Sequence, residues 1–88
     1  TEAGPGDLIM EIGPGPGSLT ENLLTTGARI IAVEKDEILA HALERLKQPD
    51  NHLEVFCQDI MQFPFDEVIA PRLKEGQKAK VSANLPYH

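Results

Sequence analysis

The 88-residue sequence predicts an α/β fold built on a parallel sheet, because short apolar runs alternate with segments of helical periodicity. The apolar runs have the near-continuous hydrophobicity of strands that are covered on both faces. We predict four strands, at residues 8–12, 30–33, 53–57 and 79–83. We predict three intervening helices, at residues 18–26, 37–48 and 66–73. The alternating order favours right-handed crossovers, so all four strands end at the same edge of the sheet.

The turn after the first strand predicts a site of the nucleotide-binding type. Gly13, Gly15 and Gly17 form a Gly-x-Gly-x-Gly pattern. A dinucleotide fingerprint has its third glycine three residues after the second, where this chain has Ser18, and this disfavours a dehydrogenase. Two prolines without N–H groups alternate with the glycines, so the turn suits a nucleoside without phosphates better than a diphosphate. The alternative interpretation is a glycine-rich turn that binds no ligand.

Each predicted helix has its own start signal. Ser18 and Glu21 form a capping-box pattern at the first helix, Asp36 is the expected N-cap of the second, and Asp66 that of the third. Helical spacing predicts a buried face on each of the first two helices. The residues of these faces are Leu19, Leu23 and Leu24 in the first helix, and Ile38, Leu39, Ala42, Leu43 and Leu46 in the second.

Polar side chains lie at the ends of all four predicted strands. Glu11 precedes the glycine turn, Glu34 ends the second strand, Asp59 follows the third, and Asn84 and Tyr87 follow the fourth. Ligands of parallel α/β sheets bind at this edge. A carboxylate about 20 residues beyond the glycines can accept hydrogen bonds from a ribose diol, and Asp59 can accept one from an adenine amino group. Each acid alone could equally be a surface residue, but together they indicate an adenosine-like ligand.

The segment Asn84-Leu85-Pro86-Tyr87 fits the methylation of a weakly nucleophilic amine. The Asn84 side-chain oxygen and the Leu85 carbonyl could each accept one N–H of an exocyclic adenine amine and align it with a methyl donor. Tyr87 could stack on the extruded base, and Pro86 would stiffen the loop. The alternative is an ordinary Asn-Pro turn with a buried tyrosine.

Composition limits the possible functions. The net charge of −6 argues against tight nucleic-acid binding by these residues alone. His41, His52 and His88 are scattered singly and predict no metal site. Cys57 lies in an apolar run and is predicted to be a reduced core residue, which indicates the cytoplasm or an equivalent reducing organellar matrix. No apolar run approaches the roughly 18 residues of a membrane span.

Four stretches, taken together, resemble the ribosomal RNA adenine dimethyltransferase family. They are residues 11–20, 33–36, 58–60 and 84–87. The resemblance covers nearly the whole chain. It implies a Rossmann-like methyltransferase fold with strand order 3-2-1-4, which uses S-adenosylmethionine to place two methyl groups on N6 of adenosine in ribosomal RNA of the small subunit.

The resemblance also implies roles for individual residues. The target base would be held by Asn84, Leu85, Pro86 and Tyr87. The cofactor would be held by Glu11, Gly13, Gly15, Glu34, Lys35, Asp59, Ile60 and Asn84. Lys35 is a departure, because the family usually has an aliphatic residue there, and only the stem of the lysine could pack near the cofactor adenine. His88 is another, because asparagine is frequent at that position.

The family also has later strands and a basic, helical RNA-binding domain, which this sequence does not contain. The resemblance therefore implies that residues 1–88 are the cofactor-binding half of a longer enzyme, with little or no activity alone. Ribosomal RNA would be bound mostly by other regions. We expect a monomer that uses neither a metal nor a membrane.

Two other functions remain open from the sequence. Other N6-adenine and amide methyltransferases share an Asn-x-Pro-aromatic segment, although Leu85 and residues 13–20 favour the ribosomal family. A relative without catalytic activity could instead act as a binding module in ribosome assembly or transcription. Replacing Asn84 by alanine would distinguish an enzyme from a binding module.

Overall fold

The computed structural model of the chain describes residues 3–83, and its elements alternate between strand and helix. Its strands are β1 (Leu8–Ile12), β2 (Arg29–Val33), β3 (His52–Phe56) and β4 (Lys80–Ala83). Its helices are α1 (Ser18–Leu24), α2 (Glu37–Glu44) and α3 (Phe65–Val68), with short 3-10 turns at Ile60–Gln62 and Ala70–Arg72. The predicted strands are therefore confirmed to within one residue at either end.

The four strands within residues 3–83 form one parallel sheet in the order β3-β2-β1-β4. In the register of the sheet, Met10 of β1 pairs with Ile31 of β2 on one side and with Val81 of β4 on the other. This confirms the predicted order 3-2-1-4 and the Rossmann-like fold. It also brings the carboxyl ends of β1 and β2 side by side, with the end of β3 next to that of β2.

The core has two layers because side chains alternate between the faces of a strand. β1 and β2 are buried on both faces, as expected for the central strands of a parallel sheet. One layer contains Leu8, Met10, Ile31, Val33, Phe63 and Ile69. The other contains Ile9, Ala28, Ile30, Ala32, Leu43 and Leu53, and leucines of α1 and the end of α2 pack against it.

The predicted capping box of α1 was wrong. The N-cap is Gly17, which has no side chain and adopts a left-handed conformation with φ of 91°. A Cβ atom at Gly17 would lie 2.9 Å from Leu43 Cδ2 and 3.2 Å from Leu46 Cδ1. The left-handed φ therefore favours glycine here, the close leucine side chains add to that preference, and Gly17 does not line the pocket described below.

The predicted buried faces were each wrong at one position, since Leu19 of α1 is 41% exposed and α2 differs at Ile38. Asp36 is the N-cap as expected, and its Oδ1 accepts hydrogen bonds from the N–H groups of Ile38 and Leu39. Ile38, however, is 80% exposed, whereas Ala40 and Leu43 are buried. Residues two apart in a helix point about 200° apart, so a helix that buries Ala40 exposes Ile38.

Two predictions near β3 were also wrong. Asp66 does not cap α3, because the helix begins one residue earlier with Pro64 at its N-cap. Cys57 is exposed rather than buried, because β3 ends at Phe56 and Cys57 lies in the following loop. Its Sγ lies 3.7 Å from the backbone carbonyl oxygen of Lys35.

Candidate functional site

A pocket of about 730 Å³ opens at the carboxyl ends of β1, β2 and β3. This volume is typical of small-molecule sites, and the position is where parallel α/β sheets bind ligands. Eight residues were predicted to bind a cofactor, and six of them line this pocket. The six are Gly13, Gly15, Glu34, Lys35, Asp59 and Ile60.

Glu34 connects the glycine turn to the start of α2. It follows the last residue of β2, and only 6% of its surface is exposed. Its Oε1 accepts the Gly15 N–H at 3.1 Å, and its Oε2 accepts the Asp36 N–H at 2.9 Å. Each carboxylate oxygen can accept a second hydrogen bond. Glu34 is therefore held rigidly and still has acceptor capacity for a diol in the pocket.

Gly15 forms an open wall of the pocket. Its φ of 63° lies in the left-handed region, which favours glycine, and a Cβ atom built on it would have no atom within 4 Å. A side chain there would occupy space beside the pocket instead of packing against protein. This is the geometry expected where a backbone must approach a ligand closely.

Asp59 and Lys35 face each other at the solvent side of the pocket. Asp59 Oδ1 accepts the Met61 N–H at 2.9 Å and so caps the 3-10 turn that follows β3. Asp59 Oδ2 lies 3.6 Å from Lys35 Nζ. Because Oδ1 already accepts this backbone N–H, Oδ2 has the greater remaining acceptor capacity for a ligand.

Apolar side chains form another part of the pocket and suit a flat ring. They are Ile12, Val33, Leu39 and Ile60. A carboxylate for ribose hydroxyls, a second carboxylate for an amino group and an apolar slot are the groups that adenosine requires. The described residues therefore fit the adenosine part of a nucleoside cofactor.

Glu11 lies behind the glycine turn rather than on the pocket wall. It is fully buried, and its Oε1 accepts a short hydrogen bond from the Thr20 hydroxyl. Its Oε2 accepts no hydrogen bond from the residues that the structure describes. Burial raises the pKa of the Glu11 carboxyl above its ordinary value, and the hydrogen bond from Thr20 opposes that rise.

The predicted catalytic segment, Asn84, Leu85, Pro86 and Tyr87, lies outside the described residues, and so does His88. β4 ends at Ala83, directly before this segment, and pairs with β1. The roles assigned to these residues stay predictions.

Five residues that line the pocket were not assigned a binding role from the sequence, namely Ile12, Val33, Asp36, Leu39 and Gln58. Leu39 was assigned to the core-facing side of α2, although its position three residues after an N-cap indicates the end of the helix that faces the pocket. Gln58 also lines the pocket and stands directly before Asp59. Thr20 is fully buried against Glu11, and no local sequence pattern signals that contact.

A second pocket, of about 500 Å³, lies at the opposite end of the sheet. Its central carboxylate, Glu54, is already paired with Arg72 at 2.8 Å and with Arg29 at 3.1 Å. Glu54 and the two arginines form ion pairs with one another, so we assign them a role in stabilising this end of the sheet. The described residues contain no group of three or more His, Cys, Asp or Glu that could hold a metal ion. Within residues 3–83, no helix is long and apolar enough to cross a membrane.

Comparisons with known proteins identify the family of the chain. The model of the family described as ribosomal RNA adenine dimethylase matches residues 1–88. The chain is 55% identical over 84 residues to the ribosomal RNA small subunit methyltransferase A of Protochlamydia amoebophila strain UWE25, covering 96% of this chain and 30% of that protein. It is 46% identical over 90 residues to the enzyme of the same name from Rhodopseudomonas palustris strain BisB5, covering 98% and 30%. The chain thus spans about a third of the length of these relatives.

Solved structures show the same fold. A dimethyladenosine transferase from Plasmodium falciparum superimposes with a TM-score of 0.71 at 28% identity, covering 97% of this chain and 28% of that one. A structure from Thermoplasma acidophilum superimposes with a TM-score of 0.65 at 22% identity, covering 98% and 46%, and this likeness shows the fold alone.

Proposed function

Because this chain belongs to the ribosomal RNA adenine dimethylase family, we propose that it is the cofactor-binding half of an enzyme that dimethylates N6 of adenosine in small-subunit ribosomal RNA. The observation that carries the proposal is that Glu34, Asp59 and the backbone of Gly15 all line one pocket. The same three positions fall within the stretches that resemble the family. The proposed cofactor is S-adenosylmethionine.

The described residues have distinct proposed tasks in holding this cofactor. Glu34 accepts hydrogen bonds from the ribose hydroxyls while the backbone fixes its carboxylate. Asp59 accepts from the adenine amino group, with the Ile60 N–H beside it. Gly13 and Gly15 allow the backbone to approach the methionine side, and the buried Glu11 supports that turn through Thr20. When bound, S-adenosylmethionine supplies an electrophilic methyl group on its sulfonium.

The proposed target-base site follows β4. The Asn84 side-chain oxygen and the Leu85 carbonyl accept the two N–H groups of the adenine amine, and Tyr87 stacks on the flipped base. These contacts hold the amine nitrogen in line for attack, so catalysis comes mainly from positioning. No strong base is required, because the methylated nitrogen is acidic enough to lose its proton to water.

The net charge of the chain agrees with a role in binding the cofactor rather than the RNA. Residues 1–88 have a net charge of −6, whereas RNA binding depends on lysine and arginine at phosphates. We propose that the RNA is bound mainly by parts of the enzyme beyond these residues. The 88-residue chain alone should then transfer few or no methyl groups.

A chimeric enzyme tests the proposal directly. Residues 1–88 would replace the matching segment of the Protochlamydia amoebophila relative, which is 55% identical. We expect the chimera to methylate unmodified small-subunit RNA, measured by transfer of tritiated methyl groups. The Asn84→Ala chimera should lose transfer even at a cofactor concentration that saturates its binding site. A folded chimera that binds cofactor and RNA but transfers no methyl group would instead favour a binding module.

A further inference from the structure

The ion pair between Lys35 and Asp59 is placed where a ligand would have to bind. Lys35 follows Glu34 at the end of β2, and Asp59 lies beyond the end of the neighbouring strand β3. Both residues line the pocket, and Lys35 Nζ lies 3.6 Å from Asp59 Oδ2. The pair therefore spans two adjacent strand ends at the mouth of the pocket.

The ammonium of Lys35 and an incoming amino group need the same oxygen. Asp59 Oδ1 is held at 2.9 Å by the Met61 N–H, which fixes the orientation of the carboxylate. Oδ2 is the oxygen that Lys35 Nζ approaches, and it has more remaining acceptor capacity than Oδ1. Both partners would donate hydrogen to one carboxylate oxygen.

The ion pair is loose enough to be displaced. A charge-assisted N–H···O hydrogen bond is about 2.7–2.9 Å long, so a separation of 3.6 Å is an electrostatic contact only. The Lys35 side chain is 78% exposed, and that of Asp59 is 35% exposed. Exposed pairs of this kind are weak and sensitive to salt. The backbone of Lys35 is less free, since its carbonyl oxygen lies 3.7 Å from Cys57 Sγ.

We propose that Lys35 lowers the affinity of the pocket for adenosine-containing ligands by competing with their amino group for Asp59 Oδ2. The inference rests on the proposed cofactor site. In the free protein the ammonium neutralises Asp59, and in the complex it moves into solvent while the stem of Lys35 stays at the edge of the pocket. Lys35 thereby makes the cofactor easier to release and its affinity dependent on ionic strength.

The test is calorimetric titration of the chain with S-adenosylhomocysteine, which carries no sulfonium charge. The Lys35→Met variant keeps a stem of similar length and loses the ammonium. We expect it to bind about threefold more tightly than the wild type at low salt. The Lys35→Arg variant, which keeps the charge, should show no such gain in affinity. Lys47→Met is the matched control, because Lys47 is an exposed lysine that pairs with Glu44, and neither lines the pocket.

Salt and a second substitution separate competition from a purely structural effect. Raising the salt concentration should tighten binding by the wild type and leave Lys35→Met nearly unchanged, because screening weakens only the ion pair. In an Asp59→Asn background, Lys35→Met should no longer tighten binding, because the competed oxygen carries no charge.

The outcomes distinguish this inference from the proposed function. Equal or weaker binding by Lys35→Met, with measurable binding by the wild type, overturns the competition and leaves the cofactor site intact. A Lys35→Met effect that persists in the Asp59→Asn background also overturns it. If no folded variant binds S-adenosylhomocysteine, the proposed cofactor site fails and the inference fails with it.

Discussion

At the scale of single residues, the site depends on carboxylates that the backbone or a neighbouring hydroxyl holds in place. Glu34 accepts one backbone N–H on each oxygen, from Gly15 and from Asp36. Asp59 is fixed by one backbone N–H, and the buried Glu11 by the Thr20 hydroxyl. Preorganised acceptors of this kind bind a polar ligand without a further loss of side-chain freedom.

Glu11 is the carboxylate of these three whose burial is energetically unfavourable. It is fully buried, and its Oε2 accepts no hydrogen bond from any described residue. Its raised pKa means that the folded state disfavours the charged carboxylate. Because the folded pKa lies above the unfolded one, this group contributes its stability at low pH and loses it as the pH rises. Because burying this carboxylate lowers the stability of the core at neutral pH, we expect Glu11 to serve the site instead.

The contribution of Gly15 to cofactor binding can be tested with Gly76 as a matched control. Both glycines have positive φ, 63° and 76°, and a Cβ atom on either would have no atom within 4 Å. Replacing either glycine by alanine should destabilise the fold by about 1–2 kcal/mol, since both must hold a left-handed alanine. Of these two glycines, Gly15 lines the pocket and Gly76 does not. We therefore expect Gly15→Ala to weaken cofactor binding at least tenfold and Gly76→Ala to leave it unchanged.

Thermal melting and calorimetry of the two variants check this prediction. Similar losses of melting temperature would show that the backbone strain is matched. Equal cofactor affinity in both variants would contradict the role of Gly15 as the open wall of the pocket.

At the scale of elements, one carboxylate of β3 ties together two arginines on separate elements. Glu54 accepts from Arg72 Nε at 2.9 Å and Nη2 at 2.8 Å, and from Arg29 of β2 at 3.1 Å. Arg72 lies in the 3-10 turn Ala70–Arg72 after α3. The bidentate pair therefore fastens the segment after α3 to the amino-terminal end of the sheet, opposite the site.

The ion pair between Glu54 and Arg72 should make the free energy of unfolding depend on pH in the acid range. The hydrogen bond from Arg72 is the main cause that holds the pKa of the Glu54 carboxyl below its ordinary value of 4.5. Because the folded pKa is depressed, the contribution is complete above the unfolded pKa and is lost as the pH falls through the folded pKa. We expect Arg72→Ala to lower the free energy of unfolding by about 1 kcal/mol at pH 7.

Urea unfolding at a series of pH values measures this effect. The difference between wild type and Arg72→Ala should shrink below pH 4.5 and disappear in stronger acid. Arg45→Ala, at the exposed C-cap of α2, is the control and should change stability little at any pH. A loss that stays constant from neutral to acid pH would mean that Arg72 acts through packing rather than through its charge.

At the scale of the whole molecule, the sequence predicted the fold because strand pattern and crossover rules act over the whole chain. The parallel order and the four strand positions followed from apolar runs and the resemblance. The prediction failed where tertiary contacts decide, as at the N-cap Gly17, which lies close to Leu43 and Leu46, and at Ile38, which the rotation of α2 exposes. The prediction that Cys57 is buried was wrong because an apolar run does not show where a strand ends.

The same distinction applies to the site. Glu34 and Asp59 could be predicted from their positions at strand ends, since parallel strands bring those ends to one edge. Their actual partners could not be predicted, because the Gly15 N–H and the Lys35 ammonium reach them through the folded turn and across neighbouring strands. The Glu11–Thr20 contact joins β1 to α1 in the interior, and it became visible only in three dimensions.

We propose that residues 1–88 hold a preformed site for S-adenosylmethionine, and calorimetric titration of this chain with that cofactor is the decisive measurement. Circular dichroism would first show that the chain is folded, and NAD would serve as the competing nucleotide. We expect saturable binding of one S-adenosylmethionine per chain and none of NAD. A folded chain that binds NAD equally well, or that binds neither ligand, would contradict the claim.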